Sequence, residues 1–316
     1  MATEGGTRAI VAALLANAGI ALTKFVAFVL TGSSSMLAEA VHSVADSGNQ
    51  GLLLLGGKRA GREATQQHPF GYGRERYVYA FIVAVVLFSV GGLFALYEAW
   101  HKWQDPHPID SWRWVPVVVL VLAIVMETFS FRTAIVESNR ERGDRSWVQF
   151  VRTAKAPELP VVLLEDAGAL LGLVFALFGV SFTLATDDGR WDAAGTAMIG
   201  VLLVVIAAVL AVEMKSLLLG EAASPEAVGR IERALVGDGN AGVTAVIHMK
   251  TLHLGPEELL VAAKIAVAAD ASGADVSRTI DEAEQRVRAV EPVARVIYLE
   301  PALPRAERRP VTGTPR

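Results

Sequence analysis

The sequence predicts an α-helical membrane protein with six transmembrane helices and a C-terminal α+β domain of ferredoxin-like type on the cytoplasmic side. Hydrophobic residues make up 53% of the chain, and the mean hydropathy is +0.41. Six apolar stretches are each long enough, at about 1.5 Å per helical residue, to cross a hydrocarbon core about 30 Å thick. Only the region from residue 223 onward has the composition of a water-soluble domain.

The transmembrane domain is assigned to residues 1–222, and its topology follows from the charges of its loops. The loops after the second and fourth spans are rich in Lys and Arg, whereas the opposite loops contain only Lys102, Arg113 and Arg190. The positive-inside rule therefore predicts that both termini are cytoplasmic, and we expect the plasma (inner) membrane as the location. The predicted spans are residues 9–30, 36–57, 78–101, 114–136, 159–184 and 192–219.

Residues 223–303 show the order helix, strand, strand, helix, strand. Ser224 followed by Pro225 is typical of a helix start, with the serine as the cap. Two β-rich segments, an amphipathic helix at 276–290 and a final strand at 294–299 follow. This order is that of a small two-layer ferredoxin-like sandwich. Residues 304–316 are rich in Pro, Arg and Thr, which predicts a disordered tail.

Composition excludes several classes of function. The net charge is −4 and the basic residues do not cluster as a nucleic-acid-binding face would require, so a nucleic-acid partner is not expected. The absence of cysteine excludes disulfides, thiolate zinc sites and thiol catalysis. The sequence contains neither His-Glu-x-x-His nor Gly-x-Ser-x-Gly, the motifs of two hydrolase classes. We therefore expect no enzyme activity and no resident cofactor.

Two ionisable residues, His42 and Asp46, lie four apart inside the second predicted span. This spacing places both side chains on one helix face. Charged groups are costly inside a membrane and usually mark an ion or proton path. An imidazole and a carboxylate on one face are two ligands for a divalent metal, although a structural ion pair is the alternative.

Three further acidic residues lie deep in apolar segments. Glu165 and Asp166 are adjacent in the fifth span, about 100° apart around the helix, so they cannot both point at one ion in the same way. Glu127 in the fourth span is a candidate for metal or proton handling, or for an interhelical hydrogen bond. Glu39, one turn before His42, is expected near the outer interface in contact with water.

Three motifs together resemble the cation diffusion facilitator family of divalent-metal transporters. They are residues 32–35 (Gly-Ser-Ser-Ser), residues 38–46 (Ala-Glu-Ala-Val-His-Ser-Val-Ala-Asp) and residues 68–74 (His-Pro-Phe-Gly-Tyr-Gly-Arg). The resemblance covers nearly the whole chain. It implies a homodimeric, proton-coupled exporter embedded in the lipid bilayer, with a tetrahedral metal site between the second and fifth spans.

The family's site residues match this sequence unevenly. The second-span pair falls on His42 and Asp46, and the fifth-span aspartate falls on Asp166. The remaining ligand position falls on Val162, which cannot bind a metal. The segment Leu-Leu-Glu-Asp resembles a divergent branch that includes a mitochondrial zinc transporter of animals. In this chain either Glu165 or Glu127 would then supply the missing oxygen.

The family's accessory metal sites are reduced in this sequence. In the loop after the second span His68 matches, but the other two positions fall on Thr65 and Tyr72. In the C-terminal domain His248 matches a ligand and Glu300 falls at an acidic ligand position. The other histidines of that site are absent.

The chemistry of these ligands favours Zn²⁺ exchanged for protons, because loading a site of carboxylates and imidazole releases protons. The same donors also suit Mn²⁺, Fe²⁺ or Co²⁺. A membrane metal sensor or scaffold that does not transport is the alternative from another functional class.

Overall fold

The computed structural model describes residues 19–110, 112–237 and 242–303, and it divides the chain into two compact units. The first unit contains the chain up to Glu63 and residues 74–218, and the second contains Ala64–Gly73 and the chain from Leu219. The predicted beginning of the first span and the predicted tail at 304–316 lie outside the described residues.

The described part of the first unit is built from helices, as predicted. Four of its helices, α3, α4, α6 and α7, are long and apolar enough to cross a membrane. Helix α2 is 27 residues long but more polar, and α5 is a short helix between the fourth and fifth predicted spans. The bounds are α1 Gly19–Thr31, α2 Ser34–Ala60, α3 Glu75–Gln104, α4 Val115–Arg142, α5 Trp147–Thr153, α6 Glu158–Thr186 and α7 Arg190–Leu219.

Close helix packing in this unit depends on small residues. Gly179 of α6 faces Gly195 of α7, and a Cβ atom added at Gly195 would come within 2.7 Å of the Phe175 carbonyl oxygen. Glycines at such positions let helix backbones approach closely, which is the usual basis of helix association in lipid. Residues 87–93 of α3 form a π-helical segment within the otherwise α-helical element.

A buried carboxylate of α7 caps the N-terminus of α2. Asp192 is fully buried and accepts hydrogen bonds from the Ser33 hydroxyl at 2.9 Å and the Ser34 amide at 2.7 Å. It also accepts from the Ser34 hydroxyl and the Ser35 amide. A negative charge at a helix N-terminus satisfies the unpaired amides and complements the helix dipole. The serine motif at 33–35 is therefore the partner of Asp192.

The second unit confirms the predicted ferredoxin-like order. Its three-stranded sheet has the order β1-β2-β3, with β1 and β2 antiparallel and β2 and β3 parallel. Apolar side chains of both helices, including Ile231, Leu235 and Val287, pack with Val261 and Ile265 of β2 to form the core. The elements are α8 Pro225–Val236, β1 Val243–Gly255, β2 Glu258–Val267, α9 Gly273–Val290 and β3 Val296–Ala302.

The loop Ala64–Gly73 belongs to this second unit because its backbone packs directly on β1. A Cβ atom added at Gly73 would lie 2.9 Å from the Leu254 carbonyl oxygen and 3.1 Å from the Gly255 Cα atom. Only glycine allows the two backbones to come this close.

We predict that Asp192→Ala destabilises the protein by about 3 kcal/mol, because several buried donors at the start of α2 lose their acceptor. Asp192→Asn should cost less, since the amide oxygen can still accept. Thermal unfolding in detergent measures both effects. The exposed Asp144→Ala is the control, and an Asp192→Ala variant that melts like the unmodified protein would contradict the role of this cap.

Candidate metal centre

Helix α2 places a stripe of polar side chains on one face of the bundle. His42 is 1% exposed, and its Nε2 atom lies 3.5 Å from Oδ2 of Asp46. The residues at 35, 39, 42, 46 and 49 are spaced by three or four, so they share one helix face. Within the described chain no hydrogen bond reaches either ring nitrogen of His42 or the Oδ1 atom of Asp46. These atoms have lone pairs or protons available to another group.

A small cavity brings carboxylates of three helices together. Its volume is about 100 Å³, and Asp46 of α2, Glu127 of α4 and Asp166 of α6 all line it. Asp166 is 8% exposed and accepts a hydrogen bond from the Ser130 hydroxyl at 2.9 Å. The other lining residues are Ile20, Ser43, Gln50, Met126 and Ser130. Three of the predicted site residues therefore face one cavity.

Glu165 points elsewhere. It is 5% exposed, and its Oε1 atom accepts a hydrogen bond from the amide of Asn49 on α2 at 2.6 Å. Its neighbour Asp166 faces the cavity, as expected for two residues about 100° apart on a helix. Val162, at the position of the missing family ligand, is partly buried and packs against the apolar core.

Glu39 differs from its expectation. The sequence analysis placed it in contact with water, and this is wrong, because Glu39 is fully buried. Its Oε2 atom pairs with the Lys24 ammonium of α1 at 2.9 Å, and Lys24 also donates to the Ser43 hydroxyl at 2.8 Å. Lys24 interrupts an apolar run, so the rule that singled out Asp46 also singles out Lys24. Asn49 and Ser130, the hydrogen-bond partners of Glu165 and Asp166, are uncharged, so no intramembrane charge marks them in the sequence.

The arrangement is a cavity rather than a closed metal cage. Among the residues that the structure describes, no three His, Asp or Glu side chains are placed to hold one metal ion together. The chemistry of the donors is nevertheless that of a divalent-cation site, with carboxylate oxygens from three helices and the imidazole of His42 beside Asp46.

The loop residues predicted as an accessory site come together without forming a ligand set. His68 is exposed, and its ring contacts the Tyr72 ring edge-on with centroids 4.7 Å apart. The Thr65 and Tyr72 hydroxyls lie 3.3 Å apart. One imidazole with two hydroxyls is a poor donor set for a transition metal.

The second predicted accessory pair is separated by a cation. His248 of β1 pairs with Lys264 of β2, which in turn pairs with Glu300 of β3, so the three form a row across the sheet. The Lys264 ammonium makes an ion pair with Glu300. Lys264 thus lies between the two residues that a metal would have to join.

The same ion pair affects the protonation of Glu300. The hydrogen bond and the positive charge of Lys264 hold the pKa of Glu300 below its ordinary value, and His248 adds a smaller effect. A lowered pKa means that the pair favours the folded state above the ordinary pKa of glutamate. This contribution is lost as the pH falls through the lowered value.

A helical bundle with several membrane-length helices around a cavity lined with carboxylates is the arrangement expected of a membrane protein that handles cations. Comparison with protein families supports this class and identifies the family within it. A model described as the cation efflux transmembrane domain matches residues 10–219. The chain therefore belongs to the cation efflux family, also called the cation diffusion facilitators.

Individual relatives agree with this assignment. The mitochondrial proton-coupled zinc antiporter SLC30A9 of Homo sapiens is 31% identical over 80% of this chain and 44% of its own length. Metal tolerance protein C4 of Arabidopsis thaliana is 27% identical over 82% of this chain and 56% of its own length. Zinc transporter ZitB of Pectobacterium atrosepticum is 28% identical over 38% of this chain and 36% of its own length.

Two of these relatives are named as transport proteins. The chain spans about half the length of the human and plant relatives that it matches. The similarity to the animal protein agrees with the resemblance of Leu-Leu-Glu-Asp to the divergent branch of the family.

We predict that Lys264→His creates a zinc site on the sheet, because it replaces the intervening cation with a third ligand between His248 and Glu300. Zinc affinity at this face should rise by roughly tenfold or more, since three protein ligands suffice for an open zinc site. Calorimetry on protein that also carries Asp46→Asn isolates this face from the cavity.

Lys264→Gln is the matched control, because it removes the same cation between His248 and Glu300 but supplies no imidazole. Equal zinc binding by the Lys264→His and Lys264→Gln variants would contradict the proposed row of ligands.

Proposed function

We propose that this chain is a divalent-metal efflux transporter that exchanges Zn²⁺ for protons through the cavity of Asp46, Glu127 and Asp166. The observation that carries the proposal is the meeting of three carboxylates from α2, α4 and α6 in one cavity of a cation efflux domain. The names of the human and bacterial relatives refer to zinc, and that of the human relative also refers to proton coupling.

In this proposal Asp46, Asp166 and His42 bind the metal, and Glu127 supplies the oxygen that Val162 cannot. Glu127 is favoured over Glu165 because Glu127 lines the cavity, whereas Glu165 is already hydrogen-bonded to Asn49. Ion binding would draw α2, α4 and α6 closer around the ion, since the carboxylates do not yet converge on one point.

Proton coupling follows from the donor chemistry. Carboxylates and imidazole bind a metal in their deprotonated forms, so loading releases protons and protonation expels the ion. A cavity that opens alternately to the two sides would then export metal while protons enter. A hydrophobic bundle also makes unneutralised carboxylates costly, so either the metal or protons must occupy the cavity.

We further propose that the transporter is a homodimer in the plasma (inner) membrane with both termini in the cytoplasm. Dimerisation rests on the family resemblance, and the orientation rests on the basic loops after the second and fourth spans. The animal relatives are named as mitochondrial proteins, so a mitochondrial membrane is the alternative location.

We predict that Asp46→Asn and Asp166→Asn each reduce zinc flux by at least about 100-fold, because each removes a charged ligand while preserving side-chain shape. Zinc uptake into proteoliposomes under an imposed pH gradient measures the effect. The same assay with Mn²⁺, Fe²⁺ and Co²⁺ establishes the ion selectivity.

Asp144→Asn in an exposed loop is the control and should transport normally. Wild-type flux in a correctly inserted Asp46→Asn protein would show that the site is wrong. Absence of flux of every ion in the unmodified protein would favour a sensor or scaffold.

We predict that Glu127→Gln lowers flux by roughly tenfold or uncouples it from the pH gradient, because glutamine can accept a hydrogen bond but cannot carry a proton. The pH dependence of flux in proteoliposomes is the measurement. A normal rate with an unchanged pH profile would instead assign Glu127 to interhelical hydrogen bonding.

A further inference from the structure

A buried lysine lies next to the cavity, and the proposed binding of metal does not use it. Lys24 is 3% exposed, and its ammonium donates to Oε2 of Glu39 and to the Ser43 hydroxyl. Ser43 itself lines the cavity, as does Ile20, one turn before Lys24 on α1. The ammonium therefore sits one side chain away from the cavity.

Lys24 differs from the other described basic residues in its burial. Among the described residues, Lys24 is the one buried lysine or arginine. It lies close to the cavity that is lined by the carboxylates of Asp46, Glu127 and Asp166. It also forms an ion pair with Glu39. Among the buried groups that the structure describes, the lysine next to the cavity thus comes from α1.

A purely structural role is a poor explanation for the pair. Burying an ion pair seldom stabilises a protein more than apolar side chains of similar volume would, and the cost is greater in lipid. The surrounding packing is nevertheless adapted to it. A Cβ atom at Gly172 of α6 would come within 2.8 Å of Oε1 of Glu39, so glycine leaves room for the carboxylate. That oxygen has no hydrogen-bond partner in the described part of the chain.

We propose that Lys24 is the cavity's tethered counter-cation, a positioning residue that acts through Glu39 and Ser43 to set how tightly the cavity holds a divalent ion. This inference rests on the proposed function. While the metal is absent, the ammonium offsets part of the negative charge that the protons in the cavity leave unneutralised. When the metal is present, the ammonium repels it and so limits its affinity. A transport site benefits from such a limit, because an ion that binds too tightly cannot leave.

The proposal predicts opposite signs for the two halves of the pair. Lys24→Met removes the repelling charge, so Zn²⁺ should bind about tenfold more tightly. Glu39→Gln leaves the lysine charge uncompensated, so Zn²⁺ should bind about tenfold more weakly. The double variant should bind like the unmodified protein. The measurement is calorimetric titration of the purified full chain with Zn²⁺ in detergent at fixed pH.

Two controls separate this role from a structural one. Lys58→Met removes an exposed lysine from the end of α2 and should leave zinc affinity unchanged. Thermal unfolding without metal reports the structural cost of each variant. If the pair only stabilises the fold, both single variants lose stability and their zinc affinities fall together or stay the same. That result overturns the proposal.

The outcome also distinguishes this inference from the proposed function. If the unmodified protein binds no Zn²⁺, the proposed function and this inference both fall. If the protein binds Zn²⁺ and Asp46→Asn abolishes binding, but the Lys24 and Glu39 variants do not shift affinity in opposite directions, only this inference falls. Should Lys24→Met not fold, a Glu39→Gln protein with unweakened zinc binding overturns the inference by itself.

Discussion

The arrangement of the bundle depends on one constraint, that each polar group carried into the apolar interior by α2 must meet a group from another helix. An unpaired charge or amide in hydrocarbon costs several kcal/mol, so partners from other helices are required. The pairs fix the rotation of α2 about its axis and tie it to three neighbours. They are Ser33 with Asp192 of α7, Glu39 with Lys24 of α1, and Asn49 with Glu165 of α6.

Asp46 and His42 are the exceptions to this rule, and the exceptions define the site. Within the described chain, one oxygen of Asp46 and both ring nitrogens of His42 accept or donate no hydrogen bond. Gly91 in the π-helical part of α3 lies against His42, since a Cβ atom there would be 3.8 Å from Nδ1. Because Gly91 has no side chain, it offers the Nδ1 atom of His42 no hydrogen-bond partner from a side chain. Polar groups left unsatisfied beside a cavity are available to an ion or to protons.

The sequence predicted the helical character of the first unit, the α-β-β-α-β order of the C-terminal unit and the carboxylates that line the cavity, because hydrophobic periodicity and intramembrane charge are local signals. It could not predict which helix supplies each partner, because helix rotation depends on packing between distant segments. Glu39 was misplaced for this reason, since its neutralising lysine lies on another helix. Likewise, the position of Lys264 between His248 and Glu300 could not be predicted, because it depends on the register of the three strands.

A lysine forms an ion pair with a glutamate in each unit, but the two pairs differ in their energetic cost. Lys264 and Glu300 lie at the surface, where water screens the charges and an ion pair contributes little to stability. Lys24 and Glu39 are buried, and their desolvation is costly. A cheap surface pair can arise without selection for a role, whereas a costly buried pair beside the cavity needs a compensating benefit. In our proposal the benefit is a limit on how tightly the cavity holds a divalent ion, because the charge of Lys24 repels the bound metal.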